Sequence, residues 1–304
     1  MMLATALLLL VQAETVKVSL ETSAKRFNPD GEMRLKFTIE NLTEGELSLD
    51  EPADWVDGLE VRDAKNTIIK AVGTSKASKR SQKVDGRGFF GRTVNVAAAL
   101  KGKTFEEGAF KFKWCWLGRT SNEVTVTVLR DYEVKVETNF GDFTIEFFPD
   151  VAPNHVMHFL QLVRAGFYDK KKFYKLIPGA IAQGGNETGE ANVALKAEFS
   201  DRPHKVGTLS AARGNDPDSA SSEFFICLAE QKNLDGRYSV FGQVKDGLDS
   251  VKELNRIKTD HSPCGGCGKN LAAGYAEGHC GNHHHDTPQV ELIIKTMKVI
   301  ENKK

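Results

Sequence analysis

The first part of the chain consists of short segments in which apolar and polar residues alternate. Residues 16–20, 35–39 and 124–128 show this pattern most clearly, and turn-forming stretches separate such segments. An alternation with a period of two places the apolar side chains on one face of a strand. Because many short strands follow one another without a helical period, we predict an immunoglobulin-like β-sandwich over residues 14–130. The polar, basic stretch 75–88 is predicted to be a mobile loop.

From about residue 131 the alternation of apolar and polar residues continues, but helical segments now occur between the strands. Residues 134–138 and 143–148 alternate around a turn at 139–142, a pattern that predicts a β-hairpin. Further strand-like segments follow, and the last of them is predicted at 290–299.

Two segments of this second part carry a helical pattern instead. Pro153 suits the first turn of a helix, and Gly166 suits its end. Between them apolar residues recur at intervals of three and four from Val156 to Val163, which gives the helix one apolar face. A second helix is predicted at 248–257. Two helices among many strands favour a closed barrel with capped ends, so the predicted fold class is mainly β.

Length and charge narrow the classes of function. The chain has 304 residues, which agrees with two domains. Lys plus Arg is 41 and Asp plus Glu is 41, so the formal net charge is zero. A chain without a basic excess lacks the attraction on which nucleic-acid binding depends, and no nucleic-acid partner is predicted. No apolar run approaches the ~20 residues that a spanning helix needs, so no membrane span is predicted.

The N-terminus has features of a short export signal. Residues 3–11 are apolar, and Ala13 follows them as a small residue suited to a cleavage site. No positive charge precedes the apolar run, which departs from the usual signal pattern. A buried first strand is the alternative, but residues 7–10 do not alternate. We therefore expect residues 1–13 to be a signal peptide and the protein to be exported, to a periplasm or the extracellular space.

Three blocks of sequence carry a family resemblance. They are FYKLIPGAIAQGG at 173–185, GTLSAAR at 207–213 with SEFFIC at 222–227, and LDGRYSVFG at 234–242. In order and spacing these blocks resemble the cyclophilins, and the resemblance runs from about Tyr132 to Val299. It implies an eight-stranded β-barrel capped by two helices within the domain 131–304. It also implies peptidyl-prolyl cis-trans isomerisation of proline-containing polypeptides, with no cofactor for catalysis.

Carried over to matching positions, the resemblance assigns two groups of residues. Lys175 occupies the place of the family's catalytic arginine, Gln183 matches the glutamine that holds the substrate backbone, and Phe225 matches the aromatic floor of the proline pocket. The implied substrate-binding residues are Ile181 in place of a methionine, the main-chain segment Ala212 and Arg213, the aliphatic wall Leu234, and Tyr238, which many members replace by histidine.

Four positions near this site depart from the family pattern. Lys175 keeps the positive charge but loses the planar fork with which arginine presents two donors. Ala180 stands where the family has a phenylalanine, which opens one side of the pocket. Glu223 replaces a glutamine, and Asn233 replaces a tryptophan of several members. These departures predict an isomerase that is weaker than typical members.

The segment 260–286 is longer than the corresponding connection in the family and is rich in Cys and His. Two residues separate Cys264 from Cys267, and two separate Cys280 from His283, with glycines between them that allow tight turns. Three thiolates and one imidazole complete a tetrahedral site of the structural kind. These four residues are therefore the predicted ligands of a structural Zn²⁺.

Two alternatives remain open for the same segment. In an exported protein two of its cysteines could form a disulfide. Its His-rich end, which also contains His279, His284 and His285, could bind Cu or Ni without a fixed geometry. A long polar segment cannot fold by burial alone, which favours some cross-link.

The other two cysteines, Cys115 and Cys227, lie in apolar runs and are predicted to be small buried side chains.

Three functions follow from these observations. The first is an exported prolyl isomerase that acts on X–Pro bonds of unfolded or flexible polypeptides and so assists protein folding. The second is a non-catalytic module that binds proline-containing peptides, which Lys175 and Ala180 favour. The third is a metal-handling protein on a cyclophilin scaffold, for which the Cys/His segment is the only support. The sequence assigns neither a role to residues 14–130 nor an oligomeric state.

Overall fold

The structure is a computed structural model with two compact units. It describes residues 15–29, 31–71, 73, 77–99, 107–186, 193–259 and 286–301. The division between the units lies between Arg130 and Asp131. Among the described residues, no helix is long and apolar enough to cross a membrane. The predicted signal peptide at 1–13 and the predicted metal ligands at 264–283 lie outside the described residues.

Nearly all the regular elements in the described part of the first unit are strands. They are β1 (Val16–Glu21), β2 (Arg26–Phe27), β3 (Arg34–Asn41), β4 (Leu47–Pro52), β5 (Leu59–Arg62), β6 (Ile68–Lys70), β7 (Ala77–Val84), β8 (Phe89–Asn95), β9 (Gly108–Trp116), β10 (Arg119–Thr120) and β11 (Val124–Val128). One short helix, α1 (Val96–Ala99), follows β8. The alternating segments of the sequence therefore form β1, β3 and β11 as predicted.

These strands form three sheets. One has the order β1-β3-β8, another has the order β2-β11-β9-β5-β6 with β10 paired to β9, and the third is the pair β4-β7. The first two sheets share an apolar core, in which the ring of Phe37 on β3 meets Trp114 on β9 edge-on at 5.2 Å. Two sheets with a common core are a layered arrangement. Its immunoglobulin-like topology stays a prediction.

The prediction of a mobile loop at 75–88 is wrong for most of that segment. Residues 77–84 form β7, which pairs antiparallel with β4. The side chains of β7 are mostly exposed, so its sequence lacks the apolar alternation from which a strand is predicted. Cross-strand polar pairs accompany the ladder instead: the Ser81 hydroxyl donates to Asp50 at 2.7 Å, and Lys83 donates to Glu46 at 2.9 Å.

The second unit contains eight strands and two helices among its described residues. They are β12 (Tyr132–Thr138), β13 (Phe143–Phe147), α2 (Pro153–Arg164), β14 (Phe173–Ile177), β15 (Ile181–Gly184), β16 (Thr208–Ala211), β17 (Phe224–Cys227), β18 (Val240–Asp246), α3 (Leu248–Glu253) and β19 (Ile294–Glu301). Short 3-10 turns occur at Pro217–Ser219, Lys232–Leu234 and Leu254–Arg256. The last strand begins at Ile294, later than predicted, and Val290 is exposed.

The eight strands form one curled sheet in the order β14-β15-β17-β16-β18-β13-β12-β19. Its two edges meet at an antiparallel bridge between Lys172 and Ile293, just before β14 and β19. The backbone N–H of Phe173 donates to the carbonyl of Leu292 at 2.9 Å next to that bridge. The expected eight-stranded, helix-capped architecture is thus confirmed.

Helix α2 begins and ends where the sequence indicates. Pro153 occupies its first turn, and Gly166 follows its end with a φ of 67°, a left-handed conformation that glycine adopts without strain. The helix has no side-chain cap of its own. Instead, the buried carboxylate of Glu198 accepts from the backbone N–H of Asn154 at 3.1 Å and of His155 at 3.0 Å. A negative charge at a helix N-terminus is the favourable sign.

Candidate functional site

Three of the residues singled out by the sequence lie side by side across the sheet. Lys175 on β14 is opposite Gln183 on β15, and Gln183 is opposite Phe225 on β17. Directly opposed residues of neighbouring strands point to the same face of a sheet, with their Cβ atoms about 5 Å apart. The pairing therefore places a cation, an amide and an aromatic ring in one row.

The opposite face of these strands forms the interior of the barrel. Each of the four strands also has a residue, adjacent to the one in the row or to Ser210, that points to this opposite face. These residues are paired in register across the strands, and they are Leu176 on β14, Ala182 on β15, Ile226 on β17 and Leu209 on β16. All four are completely buried. The barrel core thus fixes the strands from one side, and the row of Lys175, Gln183 and Phe225 is presented on the other.

A small apolar cluster lies next to this row, separate from the barrel core. Its members, which we call the floor cluster, are Ile177, Ile181, Ala212, Phe225, Cys227, Leu234 and Tyr238. The Tyr238 ring meets the Phe225 ring edge-on at 5.5 Å. Five of the eight predicted catalytic and substrate-binding residues are therefore gathered in one cluster. Ile177 and Cys227 belong to it as well, although the sequence did not assign them to the site.

Ala212 and Arg213 leave β16 beside the floor cluster. The backbone N–H of Ala212 donates to the carbonyl of Glu223 at 3.0 Å. The Arg213 guanidinium lies over the Tyr238 ring at 4.7 Å and donates to the carbonyl of Arg237 at 3.0 Å. A stacked guanidinium of this kind holds the ring of Tyr238 against the cluster.

Gln183 belongs to a polar group that the sequence did not reveal completely. Its Nε2 donates to the Tyr174 hydroxyl at 2.7 Å and to Glu223 Oε2 at 3.1 Å. Tyr174 reaches this face because the β14–β15 register shifts between Phe173 and Lys175, so that Tyr174 is the additional residue of a bulge. A strict alternation would put it on the other face, which is why periodicity could not find it.

The charge of Lys175 is shared with two carboxylates. Its Nζ lies 3.7 Å from Asp286 Oδ2, and the two side chains are 27% and 24% exposed. The backbone of Asp286 is fixed as well, since its carbonyl accepts from the N–H of Leu176 at 2.7 Å. Burial raises the pKa of Glu223, against the hydrogen bonds from Tyr174 and Gln183 and the charge of Lys175.

Cys227 is buried, as predicted, and burial raises the pKa of its thiol to about 12. It is therefore a packing side chain and not a thiolate nucleophile at neutral pH. Cys115, in the first unit, is only half-buried, which departs from the prediction. No group of three or more His, Cys, Asp or Glu suited to a metal ion occurs among the described residues.

The geometry so far describes an apolar cluster with a cation and an amide donor beside it. The family model described as "Cyclophilin type peptidyl-prolyl cis-trans isomerase/CLD" matches residues 133–266. The chain is 35% identical to the peptidyl-prolyl cis-trans isomerase CYP18-2 of Arabidopsis thaliana, over 43% of this chain and 84% of that relative. It is 38% identical to a peptidyl-prolyl cis-trans isomerase of Synechococcus elongatus, over 40% of this chain and 86% of that relative. A crystal structure of a cyclophilin type isomerase from Cryptosporidium parvum is 27% identical, with a TM-score of 0.46, over 57% of this chain and 99% of that chain.

Proposed function

Because this chain belongs to the cyclophilin-type peptidyl-prolyl cis-trans isomerase family and is such an isomerase, we propose that it acts at the floor cluster. The substrates that we propose are X–Pro bonds of unfolded or flexible polypeptides. The observation that carries the proposal is the row of Lys175, Gln183 and Phe225 across three adjacent strands. The row brings a positive donor, an amide and an aromatic surface to one edge of the floor cluster.

The reaction needs a barrier lowered, not a bond broken. Rotation about a peptide bond crosses a barrier of about 18–20 kcal/mol, because the C–N resonance is lost in the twisted state. The prolyl nitrogen then becomes pyramidal and carries a lone pair. A donor aimed at that lone pair stabilises the twisted state more than either planar isomer, which is the condition for catalysis.

Each member of the row takes one part of this task. The floor cluster, to which Phe225 belongs, receives the proline ring and removes apolar surface from water. Gln183 offers its amide to the backbone beside the proline, and Lys175 supplies the charged donor. Isomerisation in this family requires no cofactor.

The lysine also explains why we expect a weak enzyme. Lys175 presents one compact charge, whereas arginine presents two donors in a fixed plane. Its attraction to Asp286, at 3.7 Å, competes with the prolyl nitrogen for the same ammonium group. Neither alternative function, peptide binding without turnover or metal handling, is favoured by the relatives, which are named as isomerases.

The test is an isomerisation assay on the full chain with a short X–Pro peptide. We expect measurable acceleration by the native protein, and a loss of at least about tenfold in Phe225→Ala, which removes the ring that holds the proline. Phe225 is buried, so circular dichroism must first show that the variant is folded. Gln183→Ala, at a half-buried position, gives a second measurement. Native rates in both folded variants would contradict the site.

For the Cys/His segment we infer a structural Zn²⁺ held by Cys264, Cys267, Cys280 and His283. Support comes from the spacing of the four residues and from the base of the segment. There Thr259 and Pro288 form a bridge, and the N–H of Gln289 donates to the carbonyl of Lys258 at 2.9 Å. Metal analysis of reduced protein is expected to find about one equivalent per chain. A metal-free protein with a disulfide would replace this inference by the other cross-link.

Export of the protein is likewise an inference from residues 1–13 alone. We expect the mature protein to begin after Ala13 and to be found outside the cytoplasm. Mass spectrometry of the protein purified from its own cells checks the first expectation, and cell fractionation checks the second. A mature chain that still contains residues 3–11 would contradict cleavage.

A further inference from the structure

A buried polar group of three residues lies beside Phe225 of the floor cluster. His204 is completely buried, with Nδ1 at 2.8 Å from Asp235 Oδ1 and Nε2 at 2.9 Å from the Ser210 hydroxyl. The backbone N–H of His204 donates to the same Asp235 oxygen at 2.8 Å. Nothing in the sequence patterns or the family resemblance pointed to these three residues as a group.

The contacts fix the tautomer of the neutral imidazole. An ionised carboxylate only accepts, so Nδ1 must carry a proton that it donates to Asp235. Nε2 is then free to accept from the Ser210 hydroxyl in the neutral ring. Burial lowers the pKa of His204 below its ordinary value of 6.5, although Asp235 acts in the opposite direction. The neutral tautomer with the proton on Nδ1 is therefore the form at neutral pH.

This order of serine, histidine and carboxylate is that of a hydrolase triad, but the chemistry is excluded. A triad serine must meet the carbonyl carbon of a substrate. Ser210 is completely buried, and its strand position faces Phe225 across the β16–β17 pair. No substrate reaches the hydroxyl, so the group must act on the protein itself.

What the group touches is the proposed proline site. The His204 ring lies nearly parallel to the Phe225 ring, at 6.0 Å and 15°. Asp235 directly follows Leu234, the wall of the floor cluster, and the N–H of Gln231 donates to the His204 carbonyl at 2.8 Å. One imidazole therefore contacts strand β16 through Ser210, the Phe225 ring, and the turn that carries Leu234 through Asp235.

We propose that His204 is a positioning residue for isomerisation, which holds Phe225 and Leu234 at a fixed separation through its bonds to Ser210 and Asp235. The inference rests on the proposed function, because it matters only if the floor cluster receives the proline. A proline ring is rigid, so a cluster whose floor and wall move apart loses contact with both ring faces. The expected consequence is weaker peptide binding, seen as a raised KM with a smaller change in kcat.

The variants are His204→Leu, which removes both hydrogen bonds, and His204→Asn, whose amide can still donate to Asp235. We expect kcat/KM to fall by about tenfold or more in the first, mainly through KM, and to recover part of that loss in the second. The matched control is His155→Leu. His155 is also buried, and its Nδ1 lies 2.7 Å from the Glu198 carboxylate, but it belongs to helix α2. The His155→Leu protein is expected to be less stable than the native protein and to keep the native kcat/KM while it is folded.

Three outcomes would be decisive against the inference or its premise. A folded His204→Leu protein with native KM would overturn the positioning role. If Phe225→Ala also kept native activity, the floor cluster itself would be the wrong site, and the two failures are thereby separated. Nitrogen-15 NMR of histidine in the native full chain, assigned by the signal missing in His204→Asn, needs no folded leucine variant. A neutral ring with its proton on Nε2, which leaves Nδ1 nothing to donate to Asp235, would overturn the inference directly.

Discussion

Lys175 sits among opposite charges, and this decides how it can act. Asp286 lies 3.7 Å away. Glu223 is also close: burial raises the pKa of Glu223, and the charge of Lys175 acts against that rise. A partly exposed pair of this kind is worth roughly 0–1 kcal/mol, so it orients the ammonium group without trapping it. The lysine can leave Asp286 for a prolyl nitrogen at little cost, but it starts from a paired state.

Substitution of Lys175 tests the charged donor. Loss of one preorganised donor typically costs a factor on the order of 10²–10³, so Lys175→Ala is expected to lose most activity in a peptide isomerisation assay. Lys175→Arg should exceed the native rate, because arginine restores the planar fork, and more so with Ala180→Phe, which rebuilds the pocket wall. The matched control is Lys172→Ala, an exposed lysine just before β14 that pairs with Glu291. Equal rates in native and Lys175→Ala proteins would rule out this lysine as the catalyst.

Glu223→Gln tests the second carboxylate through pH. Burial raises the pKa of Glu223 above its ordinary 4.5, so the folded state prefers the protonated acid. Its contribution to stability is therefore complete below the ordinary pKa and is lost as the pH rises through the raised one. Glu223→Gln is expected to be more stable than the native protein at pH 7 and equally stable at strongly acidic pH, as measured by urea unfolding.

The same change should affect the rate. Without the carboxylate, Lys175 has one competing partner fewer, and kcat/KM at pH 7 should rise by about two- to fivefold. A Glu223→Gln protein with native stability at pH 7 and native kcat/KM would mean that the carboxylate has no part in the site.

Among the elements, the β14–β15 hairpin contributes most to the site. Its regular part gives the Lys175–Gln183 pair, and its bulge turns Tyr174 toward the same amide. The hairpin is also tied to the end of the Cys/His segment. The N–H of Leu176 donates to the carbonyl of Asp286, the last residue of that segment and the one at which the described chain resumes.

Metal removal tests that segment as an element of its own. All four proposed ligands lie within 264–283, whereas the residues of the floor cluster lie before it. If Zn²⁺ is the cross-link, a chelator should lower the melting temperature at concentrations that leave the isomerase rate nearly unchanged. The comparison is made on one sample by calorimetry and by peptide assay. A rate that falls together with metal content, before any loss of stability, would contradict a purely structural ion.

For the whole molecule, the question is whether residues 1–130 take part in the chemistry. Every residue of the row and of the floor cluster belongs to the second unit. The segment from Asp131 to Lys304 is therefore expected to isomerise a short peptide within a few-fold of the full chain. Steady-state rates of the two proteins, with near-ultraviolet circular dichroism of the shorter one, check this. A truncated unit that stays folded but loses the rate would show that the first unit completes the site.

The sequence by itself determined what depends on near neighbours. Alternation located strands such as β3 and β12, and the apolar interval from Val156 to Val163 located helix α2, because burial of one face imposes its period on the chain. The resemblance brought Lys175, Gln183 and Phe225 together, and the register confirms that they are neighbours. Strand β7 was not predicted, because a mostly exposed strand has no such period in its sequence.

Only the tertiary structure decided which distant residues meet. Asp286 reaches Lys175 across the closure of the barrel, and Asp235 reaches His204 from a separate turn. Tyr174 joins Gln183 through a register shift that reverses its face. A periodic pattern records whether a side chain is buried, but not which polar atom it meets there. Those partners are set by strand order, register and bulges, which are properties of the assembled sheet.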